Sequence, residues 1–138
     1  MRITDRDGAV LHEADGGLRG ADLRGRELPG ANLARADLSG ADLYWLAAFT
    51  ASFRGAKLVG ASLRGADLKE ADFTGADLTS ADLGRDALDG STEIQGAILS
   101  GAILSGASFM GARYDRRTRF PDGFDPAQAG MVFDAATI

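Results

Sequence analysis

A large apolar residue recurs every five positions through most of the chain, with a small residue two places before it. From Ala21 the quintets read ADLRG, RELPG, ANLAR, ADLSG, ADLYW, and later ASFRG, AKLVG, ASLRG, ADLKE, ADFTG, ADLTS, ADLGR. This period matches neither the 3.6 residues of an α-helix nor the alternation of a strand. Repetition on this scale sets the architecture before any local element is read. The centres run Leu18, Leu23, Leu28, Leu33, Leu38, Leu43, Ala48, Phe53, Leu58, Leu63, Leu68, Phe73, Leu78 and Leu83. Alanine precedes most of them, and glycine often closes the quintet, as at Gly25, Gly40, Gly55 and Gly65. A large and a small side chain two positions apart both fit a narrow core, and the other three positions face water.

After Leu83 the phase slips by one. Alanine returns at Ala97, Ala102, Ala107 and Ala112, with Leu99, Leu104, Phe109 and Tyr114 as centres. Leu88 and Ile94 are read as centres across the slip, with one extra residue between them, and GRDALDGSTEIQ as a bulge or loop in the stack.

This pattern resembles the pentapeptide repeat family, whose consensus is A(D/N)LXX. The resemblance runs from about Gly16 to Asp115. It implies an all-β fold, a right-handed quadrilateral parallel β-helix in which four quintets make one square coil. The centres then make about five coils of a repeat solenoid. Faces follow by adding twenty: Asp22, Asp42, Ser62, Asp82 and, after the slip, Ile103 share one, and Asp37, Lys57, Asp77 and Ile98 its neighbour.

Three segments are expected: an N-terminal cap over 1–17, the repeat over 18–115 with its slip or loop near 84–93, and a C-terminal capping tail over 116–138. The cap contains Ile3, Val10 and Leu11 around a turn at Asp7-Gly8 and reads as a short strand or hairpin. In the tail, Asp125-Pro126-Ala127-Gln128 predicts a short helix, with an N-cap aspartate and proline at the first helical position. Outward-facing Ile98, Ile103 and Met110 are expected under this tail rather than in a dimer surface.

The 138 residues include 15 basic and 20 acidic side chains, a net charge of −5. That balance argues against direct nucleic-acid binding, which needs a basic face. Cysteine is absent, so disulfides and thiolate metal sites are excluded. The N-terminal sequence is too charged for a secretory signal, and no apolar run approaches membrane-spanning length, so a cytoplasmic, non-membrane protein is expected.

The aspartates invite an acid–base reading, but they recur at the repeat's polar position, and a core of Leu and Ala offers no cleft to shift their pKa values. The lysine and hydroxyl residue of a P-loop do not follow Gly55–Gly60, and His12 stands alone as a surface residue. No catalytic residue, cofactor or metal site is expected.

Tyr44, Trp45 and Phe49 depart from the repeat by putting aromatic rings at solvent positions. Gly25 and Gly65, above and below Trp45, leave room for its ring to lie flat, and Arg24 and Arg64 flank Tyr44 as cation–π neighbours. Exposed aromatics are also frequent at interface hot spots. The expected function is therefore a non-catalytic protein–protein interaction or scaffold module. Its rigid side face would meet an unidentified protein partner through Tyr44, Trp45, Phe49, Arg24 and Arg64. The chain is expected as a monomer or as a homodimer through a terminal cap.

The resemblance supplies an alternative. Some pentapeptide repeat proteins are dimeric rods that mimic duplex DNA and bind type II topoisomerases such as DNA gyrase. Asp22, Asp42 and Asp82 would serve that role here. Arg24, Arg54, Lys57, Arg64 and Lys69 interrupt the acidic columns, which weakens the field such mimicry needs.

Overall fold

The computed structural model describes residues 2–13 and 17–136. The expected boundaries at residues 1, 16 and 138 lie outside the described residues.

The expected all-β quadrilateral β-helix is corrected, and the solenoid description falls with it. Among the described residues there are four short strands: β1 (Arg2–Thr4), β2 (Val10–Glu13), β3 (Arg113–Tyr114) and β4 (Val132–Phe133). They form two separate two-stranded sheets, β1–β2 antiparallel and β3–β4 parallel. No strand forms between Gly17 and Ala112. The repeat is a run of turns joined by isolated one-residue bridges.

The reason lies in the quintet. Ala41 N–H donates to Leu38 O at 2.9 Å across a turn whose third residue, Gly40, has φ 68°. A residue at positive φ in this place is the requirement of a type II turn. The same reversal recurs every five residues, with Gly25, Gly55, Gly60 and Gly65 among the glycines that supply it. Arg35, Trp45, Thr50, Glu70 and Ser80 adopt it without glycine's freedom. Three N–H groups of a quintet reach a neighbouring turn of chain, as Asp42 to Ala21 O, Leu43 to Ser62 O and Trp45 to Arg64 O, but the type II turn lets only one residue per quintet form a bridge, too few for a strand.

Those bridges join residues twenty apart: Asp22 with Asp42, Asp42 with Ser62, and Ser62 with Asp82. Leu23 N–H donates to Asp42 O at 2.9 Å, and Asp42 N–H returns to Ala21 O at 2.9 Å. The centres Leu43, Phe53, Leu63, Phe73 and Leu83 are buried, as are Ala41, Ala51, Ala61, Ala71 and Ala81. Phe53 and Phe73, also twenty apart, stack with centroids 4.6 Å apart and planes 4° from parallel.

The acidic position has a structural task. Where the bridging residue of a quintet is aspartate, the N–H two residues later is taken by that residue's own side chain. Asp42 Oδ1 accepts from Tyr44 N–H at 3.2 Å, Asp72 Oδ1 from Thr74 N–H at 2.9 Å, and Asp82 Oδ1 from Gly84 N–H at 2.9 Å. Asp and Asn are the residues that make this local turn.

The slip differs from its sequence reading. Asp77 bridges Ile103 and Asp82 bridges Ser108, so the offset becomes twenty-six residues. Ile103 therefore sits against Asp77 and Ile98 against Asp72, one quintet away from the faces expected of them. Leu88 is no centre. It is 81% exposed at the tip of a protruding loop, whereas Ile94 is buried. Thr92 closes the neck of the loop. Its hydroxyl lies 2.9 Å from Gly84 O and accepts from Gly65 N–H at 3.0 Å.

Both ends are covered. At the first turn of the repeat, β1 buries Ile3 and its Thr4 O accepts from Asn32 N–H at 2.6 Å. His12 is half-buried in β2 opposite Ile3. At the far end Tyr114, Phe120, Phe124, Phe109 and Phe133 form a chain of edge-on and stacked rings. Asp125 Oδ1 accepts from Ala127 N–H at 3.0 Å as an N-cap would, but the segment continues as turns and no helix forms. The tail leaves Ile98, Ile103 and Met110 exposed, contrary to expectation, because its rings gather over Phe109 and Tyr114 instead.

Truncating a stacked core ring tests this packing. Phe73→Ala is expected to cost about 3–5 kcal/mol in urea unfolding, the range for a large-to-small aromatic change. A loss near that of a surface substitution would contradict the buried stack.

Candidate functional site

Trp45 has φ 60° at the position where the quintets above and below it have Gly25 and Gly65. Its N–H donates to Arg64 O at 3.0 Å, so the backbone keeps the regular pairing despite the bulky side chain. The ring settles over Gly65. A Cβ built on Gly65 would lie 2.6 Å from Trp45 Cδ1 and 2.9 Å from Asp86 Oδ2, so no larger residue fits beneath it. Of the two glycines expected to leave room for the ring, only Gly65 is in close contact with it.

The protruding loop completes the site. Trp45 Nε1–H donates to Asp86 Oδ2 at 2.7 Å. Asp86 Oδ1 accepts from Leu88 N–H at 2.8 Å and Gly90 N–H at 2.6 Å. Ala87 N–H donates to the Tyr44 hydroxyl at 2.7 Å, and Arg64 Nε–H donates to Arg85 O at 2.7 Å. Both aromatic residues and one arginine therefore grip the loop. The Tyr44 and Trp45 rings lie 4.5 Å apart at 46°. Trp45 stays 47% exposed. On its other side, Asp22, Arg24, Gly25, Arg26, Tyr44 and Trp45 line an open depression of about 520 Å³.

Electrostatics around the depression are nearly balanced. Arg24 makes an ion pair with Asp22 at 2.8 Å and approaches Asp42 at 3.6 Å, while Arg64 lies 3.8 Å from Asp82. These guanidinium groups go to carboxylate and carbonyl oxygens rather than serving Tyr44 as expected. The Arg24 side-chain hydrogen bond, then its backbone N–H, lowers the Asp22 pKa to about 2. Asp86 is also held below the usual carboxylate range, first by the Trp45 indole and then by the Gly90 N–H.

The structure thus joins Tyr44, Trp45, Arg24 and Arg64. Phe49 instead lines a separate depression with Asp67, Lys69, Glu70 and Arg117. Asp22, Asp42 and Asp82 fall in one column, where each meets an arginine. Sequence reasoning missed Asp86 and Thr92. The signal for Asp86 was its position four residues before Gly90 in a segment already out of phase. Among the described residues no group of three or more His, Asp or Glu side chains is placed to hold a metal ion. Among them, too, no helix is long and apolar enough to cross a membrane.

A family model for pentapeptide repeats matches residues 18–47 and 51–85 in eight copies. A pentapeptide repeat protein from Nostoc Pcc 7120 is 39% identical, over 82% of this chain and 84% of its own, with a TM-score of 0.47. The chain belongs to the pentapeptide repeat family. The pentapeptide repeat protein Rfr23 from the cyanobacterium Cyanothece 51142 is 31% identical over 72% of this chain and 63% of its own, with a TM-score of 0.46. HetL, from the cyanobacterium Nostoc sp. Strain PCC 7120, is described as involved in heterocyst differentiation regulation. It is 27% identical over 83% of this chain and 58% of its own, with a TM-score of 0.43. The chain therefore spans less than two thirds of the length of either of these two. No curated protein matches it. Pentapeptide repeat proteins are characteristically non-catalytic, and their roles are regulatory or protein-directed.

The hold of Asp86 on Trp45 has a predictable pH dependence. The folded pKa lies below the ordinary value of 3.8, so the contribution is complete above 3.8 and is lost as pH falls through the lower folded value. Trp45 is the only tryptophan, so its emission reads the contact directly. Wild-type emission is expected to hold steady from neutral pH down past 3.8 and to change only below it. Asp86→Ala is expected to show the altered emission already at neutral pH. Equal emission in the two proteins at neutral pH would refute the contact.

Proposed function

We propose that the chain is a non-catalytic protein-interaction module whose binding face is centred on Tyr44 and Trp45, with Arg24 and Arg64 alongside. One observation carries this reading: a half-exposed tryptophan is held in place by a hydrogen bond to Asp86 beside an open depression. An anchored aromatic loses little rotamer freedom on binding, which lowers the cost of association. Tryptophan and arginine are the residues most enriched where binding energy concentrates. Phe49 belongs to a neighbouring surface and is not needed at this face.

DNA mimicry through Asp22, Asp42 and Asp82 has less support. A phosphate-like surface needs uncompensated charge in a row. Here Arg24 sits between Asp22 and Asp42, and Arg64 sits beside Asp82. All three carboxylates also cap their own turns.

The test is cross-linking capture with the purified chain, followed by a quantitative binding measurement on the captured protein. The double variant Tyr44→Ala/Trp45→Ala is expected to weaken binding by at least about a hundredfold, as loss of a hot-spot pair does. Its circular dichroism should stay that of the wild type. Undiminished binding would remove the face from consideration. Inhibition or protection of DNA gyrase supercoiling that is lost in an Asp22→Asn/Asp42→Asn/Asp82→Asn variant would favour mimicry instead.

A further inference from the structure

The loop and the depression flank one tryptophan, and their chemistry is mutually complementary. Leu88 at the loop tip is 81% exposed, and the neighbouring Asp89 side chain is 84% exposed. An aliphatic residue this exposed is usually mobile, but here the backbone around it is fixed. Asp86 N–H donates to Gly90 O at 2.8 Å, Asp89 N–H to Asp86 O at 3.1 Å, and the Asp86 carboxylate takes the Leu88 and Gly90 N–H groups. Tyr44, Trp45 and Arg64 tie this hairpin-like tip to the repeat. The result is a rigid knob that presents one apolar side chain and the Asp89 carboxylate, which is 84% exposed and lies 3.6 Å from the Arg85 guanidinium of its own loop.

The depression offers the counterpart. Its walls include the Tyr44 and Trp45 rings and the bare backbone of Gly25, where no atom would come within 4 Å of an added Cβ. Its volume of about 520 Å³ is ample for a leucine side chain. Arg26 lies at its border, exposed, and its guanidinium makes no hydrogen bond or ion pair among the described residues. Knob and hole thus pair apolar with apolar and Asp89 with Arg26.

Because both lie on the same face, on opposite sides of Trp45, a two-fold axis near that residue places each knob over the other protomer's hole. Such a self-complementary patch is the requirement for an isologous dimer, in which residue i meets residue j and j meets i. We propose that the partner of the Tyr44–Trp45 face is a second copy of this chain, joined by reciprocal seating of Leu88 and Asp89 in the depression bordered by Arg26. This rests on the reading of that face as a binding surface and names its occupant. The caps at the two ends of the repeat take no part in it.

Sedimentation velocity on the full chain, from low to high micromolar concentration, tests the proposal. Wild type is expected to shift from monomer to dimer, and Leu88→Asp to stay monomeric. Arg26→Glu and Asp89→Lys should each weaken the dimer by about tenfold or more, as loss of a facing charge pair does. The double variant Arg26→Glu/Asp89→Lys reverses the pair and should recover the dimer. All these residues are exposed, and each variant keeps Asp86, so an unchanged circular dichroism spectrum serves as the folding control. A wild type that is monomeric throughout overturns the proposal, as does a dimer indifferent to Leu88, or single-charge effects that the double variant does not restore. If the wild type is monomeric but Tyr44→Ala/Trp45→Ala still loses a captured protein, only the self-pairing fails and the binding face stands. If neither self-association nor capture depends on Trp45, both readings fall.

Discussion

The fold rests on backbone pairing between residues twenty apart, twenty-six across the slip, around a narrow core in which a small residue sits beside a large one. Leu43 N–H reaches Ser62 O at 2.8 Å, and Ser62 N–H reaches Ala41 O at 3.0 Å. Such bonds form only if each turn of chain lies flat on the last, which alanine at the narrow position allows. Ala41, Ala61 and Ala81 are buried with Leu43, Leu63 and Leu83. Where Leu46 takes the narrow position, Ala48 takes the centre, so the two exchange sizes and the volume is kept, since overpacked cores lose stability much as cavities do. Regular pairing also fixes the outward residues in columns, so that one altered column changes a whole face.

The binding face arises where this regularity is broken twice. Trp45 takes a backbone conformation that its neighbours above and below assign to glycine, and the chain between Leu83 and Thr92 leaves the repeat. The two exceptions answer each other. The ring covers the space that Gly65 leaves free, and the loop supplies the carboxylate that its indole N–H needs. Thr92 returns the chain to register, so Ile94 can resume the core. An insertion on a surface loop is tolerated because only its neck must satisfy the pairing. Here the insertion is also folded back and used.

Much of this could be read from the residues. The period predicted which side chains are buried, and the twenty-residue sum predicted that Asp22, Asp42, Ser62 and Asp82 share a column. The glycine column foretold that the Trp45 ring has room, and the ring takes it over Gly65. Strand content was not legible, because the quintet fixes turns and leaves a single bridging residue, and a hydrophobic period does not distinguish a bridge from a strand. The slip was misread because Leu88 matches a core residue in type, and only its placement on a loop tip exposes it. The contacts of Asp86 and Thr92 join residues forty-one and twenty-nine positions away, a relation no local pattern encodes.

The central claim is that the loop is held to the repeat as a fixed part of the binding face. Amide hydrogen exchange followed residue by residue by NMR tests it most directly. The account predicts that Ala87, Leu88 and Gly90, whose N–H groups are taken by Tyr44 and Asp86, are protected above the level of an open loop. Ser91, for which no backbone partner is found among the described residues, should exchange faster. Exchange of Ala87, Leu88 and Gly90 at the rate of an unstructured chain would contradict the account.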